Sequence, residues 1–202
     1  MYSVYYSVDP NYGSLRINRI RTVVRGIPLE LITAPGVFSP SGLDRGSLAL
    51  AESMEVPSQG KVLDLGCGYG FLGILAALLS PKSVVTMIDS NKLAVRLASI
   101  NAKLNGASNA VARQGDVLLG IDESFDLIMT NPPYSAGSRV VERFIVESAE
   151  HLSNSGSLQL VVPSKMKRGM QRLLKDAYEY VEEIGGTGSY KVYKAMHPKT
   201  SH

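Results

Sequence analysis

From Lys61 onward, short apolar runs alternate with amphipathic stretches at close, regular spacing, and this alternation limits the fold more than any other feature. Residues 61–65, 84–88, 111–114, 125–130 and 158–162 read as strands. Between them, residues 72–79 form an apolar helix that stops at Pro81. Leu93, Leu97, Ile100 and Leu104 mark one face of a helix over 91–104, ended by Asn105-Gly106. Val141, Phe144, Ile145, Ser148 and Leu152 do the same for 139–152, with Ser155-Gly156 closing it. Met166, Met170, Leu173, Leu174 and Ala177 give an amphipathic stretch over 166–177. Strands spaced by helices build a mostly parallel sheet covered on both faces. The last two strands, 181–184 and 190–196, have no room for a helix between them, so they pair antiparallel at one edge.

Before this region the pattern differs. Residues 15–25 partly alternate, with Arg19, Arg21 and Arg25 on one strand face, and 29–33 read as a returning strand. Arg25-Gly26-Ile27-Pro28 supplies the turn and Ala34-Pro35-Gly36 the exit. A helix over 44–54 leads to Pro57. The expected organisation is therefore a β-rich extension, 1–40, packed on one compact domain, 41–202. The chain of 202 residues is long enough for one sizeable core.

Composition narrows the class. With 45% apolar and 19% charged residues, the chain is globular and not disordered. Its longest apolar run, 72–79, is less than half of the ~20 residues a membrane span needs. MYSVYYSVDP lacks a basic start followed by an apolar block, so no secretion signal is expected. Cys67 is the single cysteine, which excludes an intrachain disulfide and suits a reducing, cytoplasmic setting. His151, His197 and His202 are scattered, and no metal-ligand spacing stands out. The net charge of +3 is uneven: 163–175 carries Lys165, Lys167, Arg168, Arg172 and Lys175 without an acid. Basic flanks around a near-neutral middle suit either a solvated surface or a polyanionic partner.

Chemistry gathers at the strand ends. Val62-Leu63-Asp64-Leu65-Gly66-Cys67-Gly68-Tyr69-Gly70 runs from a strand through glycines into a helix. Such a turn brings a ligand close to backbone N–H groups. Gly68, Gly70 and Gly73 also fit a dinucleotide spacing, but counting from Gly66 puts Phe71 at the third position. Asp89 ends the next strand, where a carboxylate either accepts from ribose hydroxyls or caps the following helix. Asp116, in Gly115-Asp116-Val117, ends the third and can receive an adenine amine or simply shape a turn. Asp64 points into the same crevice.

The sharpest signal is Asn131-Pro132-Pro133-Tyr134 after the strand at 125–130. Two prolines end a ladder and leave rigid carbonyls without strand partners. The Asn131 side-chain oxygen and the Pro132 carbonyl can then accept from one planar NH₂ group, beside the Tyr134 ring.

These motifs together resemble class I S-adenosylmethionine-dependent methyltransferases of the amino-methylating branch. The likeness is closer to the small-domain group around the RsmC-type 16S rRNA guanine-N2 enzymes. Tyr5-Tyr6-Ser7 with Pro10, Gly36-Val37-Phe38-Ser39 with Gly42-Leu43-Asp44 and Gly46-Ser47, and 188–195 resemble that group's characteristic stretches. The resemblance implies a Rossmann-like methyltransferase fold: a seven-stranded, mostly parallel sheet with one antiparallel edge strand, helices on both faces, and an N-terminal β-hairpin ahead of it. It implies S-adenosyl-L-methionine as cofactor, held by Phe38, Ser39, Asp64, Gly66, Cys67, Gly68, Gly70, Asp89, Ser90, Asp116, Val117 and Asn131. Asn131, Pro132, Pro133 and Tyr134 would hold the target amine, most simply guanine N2 in small-subunit rRNA or its particle. Bacterial members resemble two such domains in tandem, whereas this sequence carries the catalytic-type one. Substrate contacts then fall to Arg19, Arg21, Lys165, Lys167, Arg168, Tyr190 and Lys191, or to a partner. Glutamine methylation of a protein, adenine-N6 methylation and a catalytically silent RNA-binding subunit remain the alternatives.

Overall fold

The computed structural model describes residues 17–199. The Tyr5-Tyr6-Ser7 and Pro10 stretch, Leu15, Arg16 and His202 lie outside the described residues. Two strands, β1 (Asn18–Val24) and β2 (Ile27–Thr33), form an antiparallel hairpin. A seven-stranded sheet follows, built from β3 (Lys61–Leu65), β4 (Val84–Asp89), β5 (Ala110–Gln114), β6 (Phe125–Thr130), β7 (Leu152–Pro163), β8 (Tyr178–Gly186) and β9 (Tyr190–Pro198). Its order is β5-β4-β3-β6-β7-β9-β8. Helix α1 (Arg45–Ser53) precedes it, and α2 (Phe71–Leu79), α3 (Lys92–Leu104), α4 (Ser138–Glu150) and α5 (Lys167–Ala177) connect its strands.

Among the described residues, β9 is the one strand of this sheet that runs against the others. It lies one place in from the edge, with β8 outermost. Helix α5 carries the chain past a vacant lane, and the tight turn at 187–189 drops β9 back into it. Because β4 and β6 flank β3 on opposite sides, the chain reverses direction across the sheet there. A crevice therefore opens at the carboxyl ends of β3 and β6, where α/β sheets place ligands.

Both faces are covered. Leu50 of α1, Ile74 of α2, Leu97 of α3 and Leu31 of the hairpin share one core with Val62 and Met129. Ile145 of α4 and Leu174 of α5 share the other with Leu63, Ile128 and Leu160. This double burial explains why β3 and β6 read as nearly continuous apolar runs.

Several boundaries differ from the sequence expectation. Arg25 is not on the face of Arg19 and Arg21: Arg25 and Gly26 have φ of 52° and 78°, and form the two-residue turn themselves. Ile27 and Pro28 already belong to β2. Ser155-Gly156 does not close α4. That helix ends at Glu150, and β7 begins at Leu152 with a register irregularity opposite Phe125. His151 stitches this end, its ring nitrogens bonded to the carbonyls of Glu147 and Ile121, each at 2.8 Å. The helix expected over 166–177 starts as a 3-10 turn, Ser164–Met166, and β8 is longer than 181–184.

The outer edge of β2 is closed by side chains. Asn101 of α3 and Asn105, the C-cap one turn further on, reach the backbone of Ile32 and Glu30. Asn101 Oδ1 accepts from Ile32 N at 2.7 Å and Asn105 Oδ1 from Glu30 N at 2.9 Å. Their amides donate back to the carbonyls of the same two residues. Asn101 also donates to Tyr69 O at 2.8 Å, tying the hairpin to the glycine loop.

Candidate active site

A cleft of about 560 Å³ occupies the crevice. A smaller recess of about 30 Å³ lies beside it, bounded by Asp44, Ser47, Asp64, Cys67 and Asn131 among others. The larger volume falls within the roughly 300–1,000 Å³ of small-molecule sites.

The glycine loop forms the floor. Gly66 and Cys67 both donate to Ile88 O, at 2.8 and 2.9 Å, which extends the β3–β4 pairing into the loop. Gly66 takes φ of 73°, and a Cβ there would stand 3.1 Å from the Phe144 ring. Only glycine lets the loop pass under that ring. Gly68, at φ 55°, faces open space and donates its N–H to Asp89 Oδ2 at 2.8 Å. Helix α2 begins at Gly70, which has no side chain to cap it, and the one carboxylate on its first turn is Asp64, at Gly73 N, so the other N–H groups of that turn stay available to a ligand.

Asp89 is not the cap of α3. Asn91 is, accepting from Leu93 N at 2.9 Å, while Asp89 Oδ1 accepts from Asn91 N at 2.9 Å. Each Asp89 oxygen thus spends one lone pair on backbone and keeps another for hydroxyl donors. Ser90 and Asn91 continue this wall. Ile88 and Val117 give an apolar slot nearby, and Val117 takes an uncommon φ of 51°. Asp116 lines the cleft, but its Oδ1 is paired with Arg143 Nη1 at 2.9 Å. Arg143 also meets Glu147 Oε1 at 2.6 Å, and Glu147 Oε2 accepts from Leu118 N at 3.0 Å. The 115–118 loop is therefore clamped to α4.

Asp64 is buried at the recess and accepts from Gly73 N at 2.8 Å. Burial raises its pKa to about 7, opposed by that bond and assisted by the charge of Asp89. Burial also pushes the Cys67 thiol well up, and its Sγ donates to Gly68 O, so it is inert packing.

Asn131 ends β6 with its side chain fixed by two acceptors. Its Nδ2 donates to Asp44 Oδ2 at 2.9 Å and to Ser47 Oγ at 3.0 Å. Its Oδ1 remains as an acceptor at the cleft. Asp44 Oδ2 simultaneously caps α1 by accepting from Ser47 N at 2.8 Å. Pro132 is buried, and its carbonyl is not bare: it accepts from Tyr134 N at 2.8 Å, leaving one lone pair. Tyr134 is half-buried and donates its hydroxyl to Val161 O at 2.6 Å, and burial raises its pKa. Pro133 is exposed at the rim.

Some expected site residues lie elsewhere. Phe38 is exposed at the mouth of both cavities, but Ser39 lines neither and donates to Gly42 O at 2.7 Å. Gly70 backs onto Ala98 of α3; its φ of 91° and a 3.0 Å approach explain the glycine without a ligand. Arg19 and Arg21 sit on the hairpin, paired with Glu30 at 2.5 and 3.2 Å, away from the cleft lining. Lys167 and Lys191 both hold Glu183, at 3.1 and 2.7 Å, and lower its pKa. Lys165 and Arg168 are exposed beyond Pro163, and Tyr190 lines the cleft. The roles of Asp44 and Ser47 escaped the sequence reading, which spent Asp44 at a helix start; their distance from Asn131 in the chain hid the contact. Among the described residues, no cluster of three or more His, Cys, Asp or Glu side chains is placed to hold a metal ion. No helix among them is long and apolar enough to cross a membrane.

The sheet order, the glycine turn and the carboxylates at successive strand ends define a Rossmann-like methyltransferase fold. The chain belongs to the methyltransferase small domain family, whose model matches residues 28–194. It is 37% identical over 198 residues to the uncharacterized protein YbxB of Bacillus subtilis (strain 168), covering 96% of this chain and 97% of that one. It is 34% identical over 171 residues to ribosomal RNA small subunit methyltransferase C of Hamiltonella defensa, covering 83% of this chain and 50% of the relative. The structure of T. thermophilus 16S rRNA N2 methyltransferase RsmC, in complex with AdoMet and guanosine, superposes with a TM-score of 0.82 at 27% identity. That match covers 93% of this chain and 52% of the other, so the chain spans about half the length of the ribosomal RNA methyltransferases it matches.

Proposed function

We propose that this chain is a cytoplasmic enzyme that transfers methyl from S-adenosyl-L-methionine to guanine N2 of small-subunit rRNA. The observation that carries the reading is Asn131. Its amide nitrogen is committed to Asp44 and Ser47, so its oxygen is fixed as an acceptor at a nucleoside-sized cleft. A membership of the methyltransferase small domain family and the likeness to the RsmC enzymes support the same substrate class.

The cleft fits the cofactor on its own terms. Gly68 leaves open space at a positive φ, where a side chain would intrude on a ligand. Asp89 keeps lone pairs for ribose hydroxyls, Ile88 and Val117 suit a flat base, and Asp64 offers a carboxylate near an ammonium group. When bound, S-adenosylmethionine supplies an electrophilic methyl group on a sulfonium. The residues of the chain then need only position the nucleophile. Asn131 Oδ1 and the remaining lone pair of Pro132 O accept the two amine hydrogens and orient the nitrogen. Positive charge would grow on that nitrogen as the new C–N bond forms and the methyl–sulfur bond breaks with its electron pair going to sulfur, and the two fixed oxygens would stabilise it. The surplus proton leaves to water at the open mouth. A paired base is out of reach, so the target nucleotide is unpaired or flipped.

The test is methyl transfer from labelled cofactor to unmodified small-subunit rRNA and to small-subunit particles, followed by nucleoside mass analysis. N2-methylguanosine is the expected product. N6-methyladenosine, or label appearing only in a protein such as a release factor, overturns the assignment.

A further inference from the structure

This inference rests on the RNA reading above and concerns where the nucleic acid lies. Many cations near the cleft are already neutralised: Arg143 by Asp116 and Glu147, and Lys167 and Lys191 by Glu183. Lys165, Arg168, Arg172 and Lys175 differ. All four are exposed, and among the described residues none of their charged groups meets an acid. Lys165 lies in the 3-10 turn just after Pro163, a cleft residue. At 3.6 residues per turn, Arg168, Arg172 and Lys175 fall within about 60° of one another on α5. That arc lies opposite the buried Met170 and Leu174. At about 1.5 Å per residue, the series from Lys165 to Lys175 covers about 15 Å. Helix α5 leaves the carboxyl end of β7, so the stripe starts at the cleft and leads away from it. The groove between α4 and α5 is lined by Glu142, Glu150 and Asp176 against one cation, Lys199, and this net negative charge repels a polyanion from that flank.

We propose that the outer face of α5 is a phosphate track for single-stranded RNA. The sugar–phosphate backbone follows Lys165, Arg168, Arg172 and Lys175 to the cleft mouth, where one unpaired nucleotide enters. A single strand is the form that delivers a base to this cleft, and the one-sided row of charges matches one backbone.

The test compares the wild type with two variants of equal charge loss, by fluorescence anisotropy of a labelled single-stranded fragment of small-subunit rRNA across a salt series. One variant is Arg168→Gln, Arg172→Gln and Lys175→Gln. The control is Lys61→Gln, Lys82→Gln and Lys103→Gln, at the opposite end of the sheet. With a slope of about −0.7 per phosphate contact, losing three contacts flattens the log–log salt dependence by about 2. Between 50 and 200 mM salt the wild type then loses about 20-fold more affinity than the α5 variant. Cofactor affinity and melting temperature stay at wild-type values, and the control keeps the wild-type slope. Equal slopes in the wild type and the α5 variant, or equal flattening in both variants, overturn the track and leave the RNA reading standing. A wild type with no RNA affinity at low salt overturns the RNA reading itself. Binding of acidic protein alone has the same consequence.

Discussion

Asp44 performs two tasks with one oxygen, and two substitutions separate them. Its Oδ2 caps α1 through Ser47 N and holds Asn131 Nδ2. Asp44→Ala removes both. Loss of the cap costs about 1 kcal/mol, which lowers the melting temperature by about 3 °C in a domain of this size. Loss of a hydrogen bond to a charged acceptor is worth roughly 1.5–3 kcal/mol. Ser47 Oγ still touches the Asn131 amide, so we take about 2 kcal/mol, or about 30-fold in kcat. Asparagine caps a helix as well as aspartate does, so Asp44→Asn keeps its melting temperature. It trades the charged bond for a neutral one, a loss of about 1 kcal/mol or roughly fivefold in kcat. The assay is single-turnover methyl transfer to RNA, with cofactor affinity from calorimetry and stability from thermal melts. The graded loss in kcat, with melting temperature lowered only in the alanine variant, is the expected pattern. Full kcat in Asp44→Ala refutes the positioning role. A loss confined to the KM for cofactor moves Asp44 to cofactor binding instead.

Other outcomes follow from the same geometry. Asp64 has a folded pKa of about 7 against an ordinary 3.8, so the folded chain keeps a proton that the unfolded chain has released. Its contribution to stability therefore declines as pH rises from about 4 to about 7 and is flat above. Denaturant titrations at pH 5 and pH 7.5 should show the wild type losing stability relative to Asp64→Asn. If a cofactor ammonium group lies near this carboxylate, cofactor affinity rises with pH through 7, and Asp64→Asn flattens that rise in calorimetry. Asn101→Ala strands two backbone carbonyls and one N–H, each worth about 1–3 kcal/mol when left unmet, so denaturant melts should show a loss of at least about 3 kcal/mol. Tyr134→Phe removes the bond to Val161 O and should lower stability by about 1 kcal/mol in the same melts, with kcat within a few-fold of the wild type.

What was legible in the sequence depends on how many faces of an element are buried. Strands β3, β4 and β6 are covered on both sides, so their apolar runs announce them. The start of β7 and the ends of β8 carry polar residues beside an irregular register or at the sheet edge, and their patterns fade there. The glycine loop, Asp89 and Asn131 were legible because glycine spacing and paired prolines mark strand ends. The partners of those residues were not. Asp44 and Asn131 are 87 residues apart, and Asp44 also satisfies a purely local cap. Asn101 and Asn105 fit an ordinary helix surface in the sequence, and only packing turns them toward β2. Basic residues were visible as a run, but which of them Glu183 neutralises depended on the fold.

Asn101 and the α3 C-cap Asn105 also govern what can be exchanged between relatives. They serve the backbone of β2 as a neighbouring strand would, so β2 has no loose edge to offer another chain. Their hydrogen bonds read main chain only, so the demands on the side chains come from elsewhere: from Arg19 and Arg21 at Glu30, and from the core at Ile32. A chimera that swaps residues 18–33 for those of a relative must keep both amides, or import α3 with them. Without that match the transplanted hairpin loses its tie to the loop that Asn101 anchors at Tyr69, and a change made at the periphery is felt at the floor of the cleft.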